Sequence, residues 1–338
     1  MSLSDLARKL RRPARAAWLV AMSLAWLLAL TGLLGKHTPY AEMTQQFALQ
    51  VCWTAVLLTI AALLLRRWRH ATIAGVLACW QLWLIWPSAA TPIIPPHAAG
   101  VRLRLVELNA WFYAPRNDDI VSYLRNSNAD IIGLVEVSPQ LKTALAALDD
   151  RYPYQVDCVG SDDDHCEEML LSRLPILESS AGRLDGRLPV VVSARIAVAP
   201  GTTIDVAVSH VIRPLTLLQP QPAAAFLPAT PPTAQGEQTA HLARRLNQLG
   251  PDAVFLGDLN AAPWSPIVTA LRTAGGWHPE TEISPTWPSW ASAPLRLPID
   301  HILTRGKVVV TSLEAGPVLS SDHLPLEAEL FVTGNSPG

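Results

Sequence analysis

The distribution of apolar residues divides the chain into two parts. Within the first 90 residues, three long apolar runs occupy residues 16–35, 47–65 and 71–90, and none of them contains Asp, Glu, Lys or Arg. Each run approaches the ~20 residues with which a helix crosses the hydrocarbon core of a bilayer. The pattern therefore predicts three transmembrane helices, which form a membrane anchor at residues 1–90.

The basic residues around these runs predict an orientation. Five Lys or Arg residues precede the first run, one lies between the first and second, and three lie between the second and third. Because positive residues favour the cytoplasmic side, we expect a cytoplasmic N-terminus and a multi-pass membrane protein, with its remaining part periplasmic or extracellular. The alternative, a cleaved signal peptide, lacks a clear cleavage site and does not account for the two later runs.

After a Pro- and Ala-rich linker at residues 91–100, the pattern changes to short strands and helices. Alternation of apolar and polar residues predicts a half-buried first strand at 101–109, and a continuous apolar run predicts a buried strand at 129–137. Helices are predicted at 118–128, 138–148 and 236–249, and a long uncharged loop at 213–235. Further strands are predicted at 168–173, 190–199, 203–210, 253–256, 300–304, 307–313 and 326–332.

The charge is distributed unevenly along the chain. Residues 1–99 contain nine Lys or Arg and two Asp or Glu, so residues 100–338 contain 26 − 9 = 17 basic and 28 − 2 = 26 acidic residues. The resulting net charge of 17 − 26 = −9 in the second part argues against a domain that grips long nucleic acids tightly, because such domains carry a basic surface.

Two of the four cysteines lie in the second part. Cys158 and Cys166 flank a short acidic segment, and an oxidising compartment would allow a disulfide between them, which is the interpretation we favour. Two unrelated free thiols, or a zinc site that includes His165, are the alternatives. The spacing does not match a standard structural zinc site.

Polar residues stand at the ends of several predicted strands, and their types suit metal and phosphate chemistry. Carboxylate oxygens are ligands for hard divalent cations, and His and Asn can position a phosphate and stabilise its charge. Asp258 and Asn260 are two residues apart, so on an extended segment their side chains would face the same way. The candidates are Asn109, Glu136, His210, Asp258, Asn260, Asp300, Asp322 and His323.

The order of these motifs resembles the endonuclease/exonuclease/phosphatase superfamily, the fold of DNase I-like nucleases, inositol phosphatases and neutral sphingomyelinases. The resemblance covers residues 101–333 and implies an α/β (α+β) four-layer sandwich, with two packed β-sheets flanked by helices and a site at one edge. It rests on Leu-Asn109-Ala-Trp, Gly-Leu-Val-Glu136, Ser-His210, Gly-Asp258-Leu-Asn260, Ile-Asp300-His and Ser-Asp322-His323-Leu-Pro.

The resemblance implies a metal site. Glu136 would be the main ligand of Mg²⁺, with Asn109 and Asp322 beside it, and Mn²⁺ is the alternative ion. Such an ion polarises a phosphoryl oxygen and stabilises the leaving oxygen.

The resemblance also implies roles in catalysis. Asp258 would orient or deprotonate the attacking water, and Asn260 and His210 would contact the phosphoryl oxygens. His323, oriented by Asp300, would contact the phosphate and transfer a proton. The predicted anchor resembles that of bacterial membrane-bound members of the superfamily, which implies the inner membrane of a bacterial cell as the location. The predicted function is a membrane-anchored, metal-dependent phosphodiesterase or nuclease with its catalytic domain outside the cytoplasm. The alternatives are a phosphatase or phosphodiesterase of phospholipid headgroups or inositol phosphates, and an inactive binding protein.

Overall fold

The computed structural model describes residues 3–32, 43–86, 100–160, 166–184, 186–214, 234–279 and 282–334. The chain forms two compact units, Met1–Pro87 and Ser88–Gly338. The first unit contains helices α1 (Leu3–Gly32), α2 (Ala48–Leu64) and α3 (Trp68–Ile85). Its core is built largely from small side chains, which let the helices approach closely, and includes Met22, Ala25, Ala29, Val51, Ala55, Ala74 and Leu77.

The predicted membrane anchor is wrong: among the described residues, no helix is long and apolar enough to cross a membrane. The second and third apolar runs are longer than helices α2 and α3, which cover them. Helix α2 has 17 residues and a length of about 26 Å at 1.5 Å per residue, short of the roughly 30 Å hydrocarbon core. Helix α3 begins with Trp-Arg-His and ends at Ile85, before the end of the run. The predicted multi-pass location in the inner membrane is therefore also wrong, because it depended on these spans.

The second unit alternates strands and helices. Its strands are β1 (Gly100–Asn109), β2 (Ile131–Val135), β3 (Tyr154–Asp157), β4 (Met169–Ser172), β5 (Ile176–Leu184), β6 (Arg187–Ala199), β7 (Thr202–Ser209), β8 (Ala253–Asp258), β9 (Asp300–Arg305), β10 (Val308–Ala315) and β11 (Leu326–Thr333). Its α-helices are α4 (Asp118–Asn126), α5 (Pro139–Leu145), α6 (Ala234–Leu246) and α7 (Pro266–Gly275), and short 3₁₀ turns cover Ala146–Leu148 and Ala293–Leu295.

The strands form two mixed sheets. The first sheet has the order β10-β11-β1-β2-β4-β3 and the second the order β5-β6-β7-β8-β9. Two pairs are parallel, β1 with β2 and β7 with β8, and each of these pairs is central in its sheet. The remaining neighbours are antiparallel.

Three apolar cores stack these elements into four layers, which confirms the predicted sandwich. The central core joins the inner faces of the two sheets, for example Leu105 with Val206 and Leu256. A second core packs the outer face of the first sheet against α4 and α5. A third packs the outer face of the second sheet against α6 and α7. Strands β1, β2, β7 and β8 therefore send alternate side chains into different cores, whereas β10 and β11 contribute to the central core.

Most predicted strands and helices are present, with ends that differ by a few residues, but β3, β5 and α7 were not predicted. Strand β5 reads Ile-Leu-Glu-Ser-Ser-Ala-Gly-Arg-Leu, and its polar residues fit an edge position in the sheet. Helix α7 begins with a capping Ser265 followed by Pro266, a signal that the sequence does contain. The predicted linker, the acidic run at 162–164 and most of the loop at 213–235 lie outside the described residues.

Candidate active site

Strand alternation brings the predicted site residues to one face. Leu103 and Leu105 of β1 point into the central core, so Asn109, an even number of residues later, faces the same way. The same parity applies to His210, which is two residues after Val208 of β7, and to Asp258, which is two residues after Leu256 of β8. In β9, Asp300 precedes the inward-facing Ile302. The polar side chains thus line the space between the sheets.

Strand direction brings these residues to one edge. The parallel strands β1 and β2 end there, as do β7 and β8, whereas the antiparallel β4 and β9 begin there. The site therefore consists of loop and strand-end residues at the edge where the central core opens. The Ser172-Arg173 segment, which also resembles a family motif, is elsewhere: Ser172 pairs with Ile131 at the opposite end of β2.

Glu136 reaches the site through an unusual backbone conformation. Ile131 and Val135 of β2 face the central core, so strict alternation would turn Glu136 outward. Its φ of 54° breaks the alternation, and Val137 joins the outer core instead. Among the described residues, five non-glycine residues have positive φ. Three of them lie at the site, namely Trp111, Glu136 and Asn260. Backbone strain of roughly 1–3 kcal/mol per residue is thus concentrated there.

Asn109 connects two carboxylates. Its side-chain N–H group donates to Glu136 Oε1 at 3.0 Å and to Asp258 Oδ2 at 3.1 Å, and its Oδ1 accepts from the backbone N–H of Trp111 at 2.9 Å. The backbone N–H of Phe112 donates to Glu136 Oε2 at 3.3 Å. The end of β1 and the turn after it therefore orient the Glu136 carboxylate.

A tight turn, not an extended strand, brings Asp258 and Asn260 together. Strand β8 ends at Asp258, whose Oδ1 accepts from the backbone N–H of Asn260 at 2.6 Å. Asn260 has a φ of 49°, and its Nδ2 lies 3.0 Å from Nε2 of His210. The sequence predicts that both side chains project from the same face of an extended segment. This prediction is wrong, because the backbone turns between Asp258 and Asn260.

A glycine makes the close approach of β7 and β8 possible. Gly257 has a φ of 151°, and a Cβ atom there would lie 1.9 Å from the carbonyl oxygen of Ser209. Beyond this contact, the backbone N–H of Val211 donates to the carbonyl oxygen of Asp258 at 2.9 Å. The spacing between His210 and Asp258 thus depends on a residue without a side chain.

Three ligand atoms are arranged as in a metal site. Side-chain atoms of Glu136, His210 and Asp258 all lie within 4.8 Å of one another, with His210 Nε2 at 3.7 Å from Glu136 Oε1 and 3.8 Å from Asp258 Oδ2. Two of the three donors are carboxylate oxygens, which suit a hard divalent cation. The residues present therefore fit a metal ion bound at Glu136, with His210 and Asp258 close enough to act on a molecule bound to that ion.

Asp300 and His323 form a buried pair beside this group. Nδ1 of His323 lies 2.8 Å from Asp300 Oδ2, and Thr286 donates its hydroxyl to the same oxygen. Burial alone would lower the pKa of His323, but Asp300, followed by Asp258 and Asp322, raises the pKa to about 10. At neutral pH the ring is a cation, and its Nε2 lies 3.8 Å from Asp258 Oδ2.

The two carboxylates at the centre titrate differently. Burial, followed by repulsion from Asp300, raises the pKa of Asp258 to about 6. Burial also acts to raise the pKa of Glu136, but His210 and the Asn109 hydrogen bond outweigh it, and the pKa lies below its ordinary value. Glu136 is therefore ionised throughout the neutral range, whereas Asp258 can exchange a proton near neutrality.

The segment from Ser321 to His323 is hydrogen-bonded both to β1 and to the loop before β9. Ser321 donates its hydroxyl to the carbonyl oxygen of Asn109 at 2.6 Å and accepts from the backbone N–H of His323 at 3.0 Å. Asp322 accepts from the indole N–H of Trp287 at 3.1 Å, and its other oxygen lies 4.0 Å from His323 Nε2. Among the described residues, Glu136 lies within 4.8 Å of two other side chains that could bind the same metal ion. Asp322 belongs to no such group of three.

Two buried glutamates of the site were not predicted. Glu107 is fully buried in β1, two residues before Asn109 on the same face, and neither of its carboxyl oxygens has a hydrogen-bond partner within the part of the chain that the structure describes. Burial, followed by repulsion from Asp300 and Asp258, raises the pKa of Glu107 well above its ordinary value. The sequence contained a signal, because Glu107 follows the apolar Val101, Leu103 and Leu105 on the inward face of β1.

The second is Glu168, which lies just before β4 and is only 3 % exposed. Its Oε2 accepts from the backbone N–H of Glu167 at 3.0 Å, and burial raises the pKa of Glu168 to about 8. Cys158 and Cys166 form a disulfide with a Cα–Cα distance of 5.6 Å. Sulfur atoms of both cysteines lie within 4.8 Å of a Glu168 oxygen, so the disulfide packs over this carboxyl group.

Solved structures with the same fold come from several organisms. The endonuclease/exonuclease/phosphatase from Bacteroides vulgatus is 18% identical over 68% of this chain and 98% of its own, with a TM-score of 0.54. Humanized D. rerio TDP2 is 17% identical over 68% and 98%, with a TM-score of 0.51. A double mutant of Staphylococcus aureus beta toxin with bound magnesium ions is 16% identical over 68% and 99%, with a TM-score of 0.51. No curated protein matches the chain.

The match at the level of the family covers most of the second unit. Residues 106–323 match the Endonuclease/Exonuclease/phosphatase family, from the strand before Asn109 to His323. The three activities in this description all hydrolyse phosphoesters. With the motif order, the four-layer sandwich and the edge site in agreement, the chain belongs to the Endonuclease/Exonuclease/phosphatase family.

Proposed function

We propose that this protein is a Mg²⁺-dependent phosphodiesterase that activates water for in-line attack on phosphorus. The observation that carries the proposal is the meeting of Glu136, His210 and Asp258 within 4.8 Å, next to the Asp300–His323 pair. This arrangement combines a cation site, a carboxylate that can accept a proton and a fixed positive charge. Each of the three lowers the barrier to the hydrolysis of a phosphoester.

Glu136 would hold the ion, oriented by Asn109, and Asp322 would be a further carboxylate ligand. Mg²⁺ is favoured by the oxygen donors and by the magnesium ions in the related beta toxin structure, and Mn²⁺ is the expected substitute. When bound, the ion would polarise a phosphoryl oxygen and stabilise the leaving oxygen.

Asp258 is the proposed base. It is buried, and with a pKa of about 6 it is mostly ionised at neutral pH yet basic enough to take a proton from water. The bond from Asn260 N–H to Oδ1 fixes the carboxylate, so that Oδ2 faces the site. Asn260 and His210 would donate to the phosphoryl oxygens.

His323 is the proposed proton donor and anion stabiliser. Asp300 holds its Nδ1, which leaves Nε2 as the atom that faces the substrate. A cation fixed in a buried site stabilises the charge that develops on phosphorus without rearranging in the transition state. The Asp300 carboxylate keeps the ring protonated at neutral pH.

The substrate is expected to be a short or locally exposed phosphodiester, in a nucleic acid or a lipid headgroup. The net charge of −9 over residues 100–338 argues against tight binding of long duplex DNA. A panel of bis-p-nitrophenyl phosphate, p-nitrophenyl phosphate, single- and double-stranded DNA and phospholipid vesicles would distinguish diesterase, monoesterase, nuclease and lipid activity.

The test uses the full chain with Mg²⁺ or EDTA, together with Glu136→Gln and His323→Ala. Glu178→Gln is a matched control, because it removes a carboxylate that pairs with Arg195 on the outer strands of the second sheet. We expect diester hydrolysis with Mg²⁺ that is lost with EDTA and in both site variants but kept in the control. Hydrolysis that persists in Glu136→Gln would exclude this site, and a folded chain inactive on every substrate would contradict the proposed function.

A further inference from the structure

An indole N–H group holds one oxygen of the Asp322 carboxylate. Nε1 of Trp287, in the loop before β9, donates to Asp322 Oδ2 at 3.1 Å. The other oxygen, Oδ1, lies 4.0 Å from Nε2 of His323, the atom that faces the substrate in the proposed mechanism. The proposed function uses Asp322 as a further carboxylate ligand and assigns no role to Trp287.

The backbone that carries Trp287 is fixed on both sides. Its N–H group donates to the carbonyl oxygen of Leu297 at 3.2 Å, and the N–H group of Leu297 donates back to the carbonyl oxygen of Trp287 at 2.5 Å. The preceding Thr286 is fully buried, accepts from the backbone N–H of Leu324 at 3.1 Å and donates its hydroxyl to Asp300. The indole therefore extends from a rigid segment of the loop.

The backbone of Asp322 is fixed by the same loop. Ser289 donates its backbone N–H to the carbonyl oxygen of Asp322 at 2.7 Å and its hydroxyl to the carbonyl oxygen of Ser321 at 2.8 Å. These bonds hold the main chain but leave the Asp322 side chain free to rotate, and that side chain is 29% exposed to water. The hydrogen bond from Trp287 is the contact that selects one orientation of the carboxylate.

This orientation determines where a negative charge lies in the site. Nε2 of His323 has two carboxylate oxygens at similar distances, Asp258 Oδ2 at 3.8 Å and Asp322 Oδ1 at 4.0 Å. A rotation of the Asp322 side chain would change the second distance and leave the first unaltered. Groups that orient a metal-binding or catalytic carboxylate in this way affect activity without touching the substrate.

We infer that Trp287 is a positioning residue, whose indole N–H group fixes the Asp322 carboxylate and so keeps Oδ1 beside Nε2 of His323. The effect on catalysis rests on the proposed function. The geometric part, that Trp287 sets the orientation of Asp322, does not depend on any substrate or metal ion.

The experiment compares Trp287→Phe with Trp277→Phe in the full chain. Trp287→Phe keeps an aromatic ring and removes the N–H group. Trp277 is a matched control, because it is a buried indole in the outer core of the second sheet, where its ring packs against the Arg305 guanidinium at 4.8 Å. Both variants replace an indole by a phenyl ring, but only the first removes a contact with Asp322.

The first readout is the NMR resonance of the His323 ring in metal-free, histidine-labelled protein, assigned with His323→Ala. We expect Trp287→Phe to shift this resonance more in the wild-type background than in an Asp322→Ala background, and Trp277→Phe to leave it in place. The direct effect of the Trp287 ring, whose centroid lies 6.4 Å from that of His323, is present in both backgrounds and cancels in the comparison. Equal shifts in the two backgrounds would overturn the inference.

A reciprocal measurement does not require the Trp287→Phe protein to be stable. In tryptophan-labelled protein, we expect the indole N–H resonance of Trp287 to move in Asp322→Ala, because the indole loses its acceptor, while that of Trp277 stays in place. An unchanged Trp287 resonance in this variant would also overturn the inference, whether or not any substrate has been found.

The last readout is the kinetics of the diesterase reaction. We expect Trp287→Phe to lower kcat by about 10- to 100-fold with little change in KM, and to have no further effect in an Asp322→Ala background. Trp277→Phe should retain the wild-type kcat. Equal losses in both backgrounds would show that Trp287 acts independently of Asp322 and would contradict the proposal, whereas an inactive wild type would count against the proposed function alone.

Discussion

Asp300 Oδ2 lies 2.8 Å from Nδ1 of His323, and the pair is buried between the two sheets. The contact joins the first residue of β9 to the loop before β11, so it depends on the assembled sandwich. The carboxylate orients the ring and keeps it protonated at neutral pH, which determines the charge that the site presents to a phosphate.

This pair predicts a specific pH dependence of stability. The folded-state pKa of His323 is about 10, against an ordinary value of 6.5, so its contribution is fully present below pH 6.5 and is lost as the pH rises to 10. Asp300→Asn should remove most of that contribution. We expect the stability difference between wild type and variant to shrink from pH 6.5 to 10, measured by urea unfolding. A constant difference would show that the charge pair is not its cause.

Metal binding should depend on Glu136. Replacing its carboxylate by an amide in Glu136→Gln removes a charged oxygen donor, and we expect the affinity for Mn²⁺ to fall by about tenfold or more. Titration followed by the EPR signal of free Mn²⁺ measures this without any substrate. Glu178→Gln should bind Mn²⁺ like the wild type, and equal affinity in all three proteins would contradict a metal site at Glu136.

Glu107 should destabilise the protein as the pH rises. Its pKa in the folded chain lies well above the ordinary 4.5, so the folded state retains a proton that the unfolded state releases, and stability falls with pH above 4.5. Glu107→Gln lacks this ionisation. We expect the variant to gain thermal stability relative to wild type from pH 5 to pH 9, with no such gain at pH 4, in metal-free buffer. A gain that is independent of pH would contradict the explanation.

Gly257 should not tolerate a side chain. A Cβ atom would lie 1.9 Å from the Ser209 carbonyl oxygen, at a φ of 151° that other residues rarely adopt. We expect Gly257→Ala to lower the free energy of unfolding by about 3 kcal/mol or more, or to prevent folding. Gly236→Ala is the control, since a Cβ atom added there would meet no described atom outside the helix backbone within 4 Å and alanine favours the α6 helix. Chemical denaturation of both variants measures the contrast.

The disulfide should stabilise the loop over Glu168. Cys158 and Cys166 are separated by 8 positions, and loop-closure entropy for so short a loop corresponds to about 2.5 kcal/mol. We expect Cys158→Ser combined with Cys166→Ser to lose stability by roughly this amount, measured under non-reducing conditions. The same loss on adding a reductant to wild type, and no effect of reductant on the variant, would identify the bond as the cause.

The strands near the site could be predicted from the sequence alone, and so could the candidate residues at their ends. Asn109, Glu136 and Asp258 were recognisable because each follows an apolar run whose period marks a strand. Strand parity alone already requires Asn109 and Asp258 to face the side of their strands that becomes the central core. The order of the motifs then indicated the family.

Several features of the site depend on the tertiary structure and cannot be predicted from local sequence patterns. The left-handed backbone of Glu136, the turn between Asp258 and Asn260, and the burial of Glu107 and Glu168 all arise where segments distant in sequence meet. The N-terminal helices are the clearest example, because hydropathy reports the length of an apolar run, whereas the ends of a helix depend on where its backbone hydrogen bonds stop. Burial, strain and pKa are properties of neighbours in space, and only the folded chain defines those neighbours.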